Sequence, residues 1–145
     1  MPTLPGPLGE DALSRGLMVI RGRYDFAVDG GAQSTIAITS GTPIPSGSVI
    51  VGGYVNVLTA LTSGGSATIA CQVNAANDIL TAVAVATWDT APVTKNILPA
   101  TTTGALTDST TVKTTADRNI SIVIATADLT AGKFDVVLFV VPPAG

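Results

Sequence analysis

The chain has 145 residues, 46% of them hydrophobic and only 12% charged, with a net charge of −3 and no histidine. That length fits one domain and is enough to bury a full core. Without histidine there is no Ser-His-Asp or Cys-His nucleophilic set, and the seven scattered Lys and Arg make no basic stripe for direct nucleic-acid binding.

The charged fraction is about half of the usual ~25%. Much of the surface must therefore be Thr, Ser, Gly, Asn and Ala, and a weakly charged surface resists association poorly. The composition implies that a partner, or copies of the chain itself, cover part of it.

Residues 1–16 differ from the rest. Pro2, Pro5 and Pro7, with Gly6 and Gly9, rule out a regular helix or a central strand. The start has neither the basic region nor the apolar run of a signal peptide. Two readings are open: a disordered terminus, or an extended arm that docks on a neighbouring subunit through Leu4, Leu8 and Leu13. Proline favours an arm, because it reduces the freedom lost on ordering.

Leu17–Val28 reads as the first strand region. Arg21, Arg23 and Asp25 share one parity, and Ile20, Tyr24, Phe26 and Val28 share the other, the alternation of a half-buried antiparallel strand. Asp29-Gly30-Gly31 then reads as a hairpin turn leading to Thr35–Thr39, with Ile36 and Ile38 inward. A rigid loop, Gly41–Gly47, precedes a longer strand at Ser48–Leu58. Gly52-Gly53 inside that strand signals a bulge or a close backbone approach. Thr62–Ser66 reads as a second hairpin turn, with Ala67–Val73 pairing back. Cys71 is the single cysteine, so no intrachain disulfide forms. It shares a face with Ile69 and Val73 and reads as a small core residue.

Asn77–Trp88 reads as a helical turn or irregular segment, capped by Asn77 or Asp78, that runs into something extended. Trp88, the only tryptophan, is an anchor of the core or of an interface. Ala91–Thr111 is a long Thr-rich loop with one short strand near Asn96–Leu98, the kind of loop that faces a partner. Val112–Thr115, Asn119–Ala125 and Lys133–Val141 complete the strands, with a turn at Asp128–Gly132 joining the last two. The final strand is apolar on both faces: Phe134, Val136, Leu138 and Val140 on one, Val137, Phe139 and Val141 on the other. It is either central, with both faces covered, or part of a subunit interface. Its run is far too short to span a bilayer.

About eight short strands separated by turn signals imply an all-β, single-domain β-sandwich or jelly roll. The expected organisation is an extended Pro/Gly-rich arm at 1–16 and a sandwich domain at 17–145. No metal-ligand spacing and no phosphate loop occurs. The acidic residues lie near turns, where an Asp bonds its own backbone. No catalytic residue, metal site or cofactor is assigned, and the chain reads as a surface-presenting scaffold rather than an enzyme.

The segments YDFAVDGGA (24–32), IPSGSVIVGGYV (44–55), TSGGSATIACQV (62–73), NDILTAVAVATW (77–88) and KTTADRNISIVIATADLTAGKFDVVLFV (113–140) resemble the head decoration, or auxiliary capsid, proteins of tailed double-stranded DNA bacteriophages. The resemblance includes a decoration protein of a thermophilic Thermus phage. It implies a protein on the outer surface of the expanded capsid, in the virion, that cements neighbouring capsomers against internal DNA pressure. Its implied partners are the major capsid protein and itself, as a homotrimer, with no direct nucleic-acid contact and no membrane. The arm, with Pro2, Leu4, Pro5, Leu8 and Leu13, would reach an adjacent subunit, and Trp88 and Phe139 are the other candidate contact residues. The alternative is a tail or fibre module that binds a host glycan.

Overall fold

Two antiparallel sheets packed face to face make up the computed structural model, which describes residues 16–88, 94–97 and 111–143. The arm residues Pro2, Leu4, Pro5, Leu8 and Leu13, and most of the long Thr-rich loop, lie outside the described residues. The strands are β1 (Met18–Asp25), β2 (Ser34–Ile38), β3 (Val49–Ser63), β4 (Thr68–Gln72), β5 (Leu80–Ala84), β6 (Thr94–Ile97), β7 (Val112–Lys113), β8 (Ile120–Ala125) and β9 (Leu129–Val141). The larger sheet has the order β1-β9-β3-β6, with β7 also on β3, and the smaller has β2-β8-β4-β5. The architecture is the expected β-sandwich.

The period-two apolar pattern sets which face is buried. Ile20 and Tyr24 of β1, Val55 and Val57 of β3, and Phe134, Val136, Leu138 and Val140 of β9 point inward. Ile69 and Cys71 of β4 and Ile120, Ile122 and Ile124 of β8 meet them from the other sheet. The sheets approach closely at Gly22, where an added Cβ would lie 3.1 Å from Ile38 and 3.2 Å from Ile120. Trp88 is fully buried, its ring 5.1 Å from that of Phe134 at 67°, and Phe134 also lies 5.1 Å from Tyr24. Edge-to-face and offset contacts of this kind add to the burial itself.

The strand positions agree with the expected pattern, but three connections differ from it. The turns at Asp29–Gly31 and Thr62–Ser66 do not close the expected hairpins, and Leu129–Gly132, expected as part of a turn, belongs to β9, so that β8 and β9 are joined at Thr126–Asp128. All three connections carry the chain from one sheet to the other: β1 pairs with β9, β2 with β8, and β3 with β9 rather than β4. At the first, β1 ends early in a helical turn, Phe26–Asp29. The Asp25 carboxylate caps it by accepting from the Ala27 N–H, and Asp29 accepts from the Asp25 N–H. Gly30 leaves the turn at φ 77°, a conformation that suits glycine. The Gly31 backbone then packs on Leu129, whose N–H donates to the Gly31 carbonyl at 2.8 Å; a Cβ on Gly31 would strike the Leu129 carbonyl.

Val28, expected inward, is 80% exposed because the helical turn replaces the end of the strand, and neither Asn77 nor Asp78 caps a helix, since Leu80–Ala84 is a strand; the remaining local expectations hold. β3 carries a bulge between Ile50 and Gly52, and Gly53 lies so close to the Val137 carbonyl that a Cβ would collide with it. β3 is longer than expected, extending to Ser63. The loop before it is pinned by Thr114, whose hydroxyl donates to the Pro45 carbonyl and accepts from the Ser48 N–H. The segment after β4 turns on Asp78, which accepts from the N–H groups of Val73, Asn74 and Ala75. It then runs into β5 and a single 3₁₀ turn at Val85–Thr87.

Candidate functional site

β9 lies between β1 and β3, so its doubly apolar sequence has a specific consequence. One row of its side chains fills the core. The other row, Lys133, Asp135, Val137, Phe139 and Val141, stands on the outer face of the larger sheet. The β1 partners in register are Asp25, Arg23, Arg21 and Val19, and the β3 partners include Asn56, Tyr54 and Gly52.

This face has two zones. At the end near the start of β1 it is apolar: Val19 is 60% exposed, Val51 42% and Val141 37%. Phe139 and Tyr54 are half-buried beside them, their rings 6.1 Å apart. The bulge after Ile50 is what leaves Val51 projecting. At the other end the face is charged. Arg23 grips Asp135 with both ends of its guanidinium, Nε to Oδ1 at 2.7 Å and Nη2 to Oδ2 at 2.9 Å. Lys133 pairs with Asp25 at 2.8 Å. Asp135 holds the Arg23 guanidinium above its ordinary range, and Lys133, with the Ala27 N–H, holds the Asp25 carboxyl below its own.

Arg21 stands at the junction of the zones, opposite Val137. Among the described residues it pairs with no carboxylate. With Arg21, three cations at this end face three carboxylates, Asp25, Asp135 and Asp29, the last accepting from the Asp25 N–H.

Apolar residues clustered on one exposed face, rimmed by charge, are the signature of a contact surface. Phe139, a candidate contact residue from the sequence, stands half-buried on this outer face. Trp88 is placed in the core instead, with no exposed surface. Its indole N–H has no hydrogen-bond partner among the described residues. The contributions of Val19, Val51 and Tyr54 were missed. The readable signal was Val19, an apolar residue on the parity of Arg21 and Arg23.

The remaining reactive groups have structural surroundings. Cys71 is fully buried, and burial pushes its thiol up to about 12. Asp117 and Asp128 accept from the backbone N–H groups of Ser46 and Gln33. Among the described residues no three His, Cys, Asp or Glu side chains come together as metal ligands, and no helix is long and apolar enough to cross a membrane.

No protein-family model matches the chain, and no curated protein matches it. Chains in three solved structures are similar in fold. One is in the acidic stable capsid structure of Helicobacter pylori bacteriophage KHP30, at 11% identity and a TM-score of 0.59, covering 88% of this chain and 89% of that one. Another is in the cyanophage Pam1 capsid asymmetric unit, at 18% identity and a TM-score of 0.57, covering 88% and 85%. A third is in the capsid of Ralstonia phage GP4, at 17% identity and a TM-score of 0.59, covering 89% and 86%. At these identities the likeness is one of fold.

Proposed function

We propose that this chain is a structural protein of a phage virion that binds the outer surface of the expanded capsid and holds neighbouring capsomers together. The observation that carries this reading is the fold likeness to chains of three phage capsids, which spans 85–89% of those chains as well as most of this one. Capsid chains of this fold, matched over most of their length, supply a context in which a β-sandwich that presents a surface has a use. A fold alone does not define a function, so the reading also draws on the surface the chain presents. The outer face of the larger sheet offers apolar and aromatic area for a neighbouring virion subunit, with a charged border to set its register.

In this reading the protein assembles as a homotrimer and contacts the major capsid protein. The segment at 1–16 is an arm that reaches an adjacent subunit through Leu4, Leu8 and Leu13. Stabilisation follows from linkage: a protein that binds only the expanded shell shifts the equilibrium towards it. The role requires no enzyme activity, no cofactor and no nucleic-acid contact.

Co-sedimentation with expanded and unexpanded heads that lack the protein tests the reading. Saturable, stoichiometric binding to expanded heads alone is the expected result. Absence of binding to both forms would contradict it and favour a tail or fibre component.

A further inference from the structure

The smaller sheet ends in two bare edges. Among the described residues no strand pairs with the outer side of β2 or of β5. Neither Ser34–Ile38 nor Leu80–Ala84 holds a charge or a proline. The larger sheet differs. Its edge strand β1 carries Arg21 and Arg23, Ser40 accepts from the Arg23 N–H at 3.4 Å, and Gly41 packs so close that a Cβ would strike the Arg21 carbonyl. At its other side β6 and β7 pair with β3. Folded proteins guard sheet edges because a free row of N–H and C=O groups accepts another strand. The occupant that suits a bare edge is therefore a strand.

We propose that copies of this chain join head to tail, the outer edge of β2 in one pairing antiparallel with the outer edge of β5 in the next. This rests on the reading above that the chain assembles with itself, and it names the surface that does so.

Polarity, sequence and burial select a second copy. In the order β2-β8-β4-β5 every neighbouring pair is antiparallel, so β2 and β5 run in opposite directions. A copy set beside the first in the same orientation meets it antiparallel, and the alternation continues unbroken. On its inner side β5 already pairs with a strand that β2 resembles: Thr35-Ile36-Ala37 repeats Thr68-Ile69-Ala70 of β4. Within the chain Thr68, Ile69 and Cys71 face Ala84, Val83 and Leu80, with a register shift between the last two pairs. Thr35, Ile36 and Ile38 have the same spacing, so they meet Ala84, Val83 and Leu80 of the next copy in the same way. Ile36, Leu80 and Val83 are half-buried against the core, and the junction joins them into an apolar row that crosses from copy to copy. Both strands are uncharged, so no like charges are opposed and no charge is buried. A head-to-tail contact closes into a ring when the rotation between copies allows it, and a homotrimer is such a ring.

The test is a disulfide trap in the full chain, purified without heads. Thr35→Cys is combined with Ala84→Cys; both positions are exposed, and Cys71 is buried and stays in place. Within one copy β8 and β4 separate the two positions. Three strand spacings amount to about 14 Å, beyond the ~7 Å Cα limit of a disulfide, so a bond between them joins two chains. Mild oxidation of the double variant is expected to give a ladder of linked chains that stops at the mass of the native oligomer by light scattering. Either single variant should give no linked chains, because this junction never sets like positions against each other. Charge supplies a second readout. Thr35→Lys with Ala84→Lys opposes like charges at every junction, and Thr35→Lys with Ala84→Glu pairs opposite ones. The first should need about tenfold more protein than the second to assemble. Linked dimers from a single variant would overturn the proposal in favour of a two-fold contact between like edges. Oligomers that do not link in the double variant, equal assembly of the two charge variants, or a chain that stays monomeric at every concentration would also overturn it. Oligomers without the cross-link would leave self-assembly standing and remove only this junction. Head binding is measured separately, so the capsid reading fails or survives on its own.

Discussion

Arg23 and Asp135 face each other directly across β1 and β9, although 112 residues separate them, and the guanidinium holds both carboxylate oxygens. The side chain of Asp135 is only 7% exposed and that of Arg23 is 48% exposed. Removing the acid leaves the arginine free to turn to water. Removing the arginine leaves a nearly buried carboxylate without its partner, the costlier defect. Arg23→Ala should therefore lower the melting temperature more than Asp135→Ala does. Equal losses, measured by calorimetry in low salt, would contradict this asymmetry.

Asp25, next in the same row, carries a pH dependence. Lys133 and the Ala27 N–H hold its carboxyl below the ordinary value. A lowered folded-state pKa contributes stability above the unfolded value of about 4, and the contribution is lost as pH falls through the folded value. The stability gap between the wild-type chain and Asp25→Asn should be full at neutral pH and should shrink in acid. A gap that stays constant down to strong acid would rule the linkage out.

At the alkaline end the relevant group is Tyr24. Its hydroxyl donates to the Gly30 carbonyl at 2.7 Å, and burial, helped by Asp29 and Asp25, pushes it up to about 12. An unfolded tyrosine ionises near 10. The folded value is the higher, so its contribution is complete below about pH 10 and fades as the pH climbs towards about 12. Tyr24→Phe should cost about 1 kcal/mol near neutrality, the scale of one hydrogen bond. Its urea midpoints should fall less steeply with alkaline pH than those of the wild-type chain.

Phe134 touches both Tyr24 and Trp88 and is fully buried. Phe134→Ala should cost about 3–5 kcal/mol in urea unfolding, because the three rings leave a cavity that rigid strands cannot close. A loss under about 1.5 kcal/mol, the range of a volume-conserving swap, would mean that the aromatic cluster is not a centre of the core.

The strands and the β-class were legible because period-two alternation is local: Ile120, Ile122 and Ile124 declare a buried face within five residues, and all three are buried. The pairing was not. Turn chemistry such as Asp29-Gly30-Gly31 serves equally for a hairpin and for an arch between sheets. Nothing near Arg23 announces a partner 112 residues away. The same limit applied to the candidate surface. Phe139 could be singled out because β9 is apolar on both faces. Tyr54 and Val51 join it only through the β3–β9 register and the bulge after Ile50, which depend on tertiary packing.

The central claim, that the outer face of the larger sheet is the contact surface of a capsid-binding structural protein, is tested most directly by co-sedimentation of two full-length chains with expanded heads. The chains are the wild type and Phe139→Asp, with matching circular dichroism as the control for folding. Binding that saturates for the wild type and weakens more than about 30-fold for the variant, the scale of a contact hot spot of about 2 kcal/mol, is the predicted result. Equal binding by two folded chains would contradict the claim.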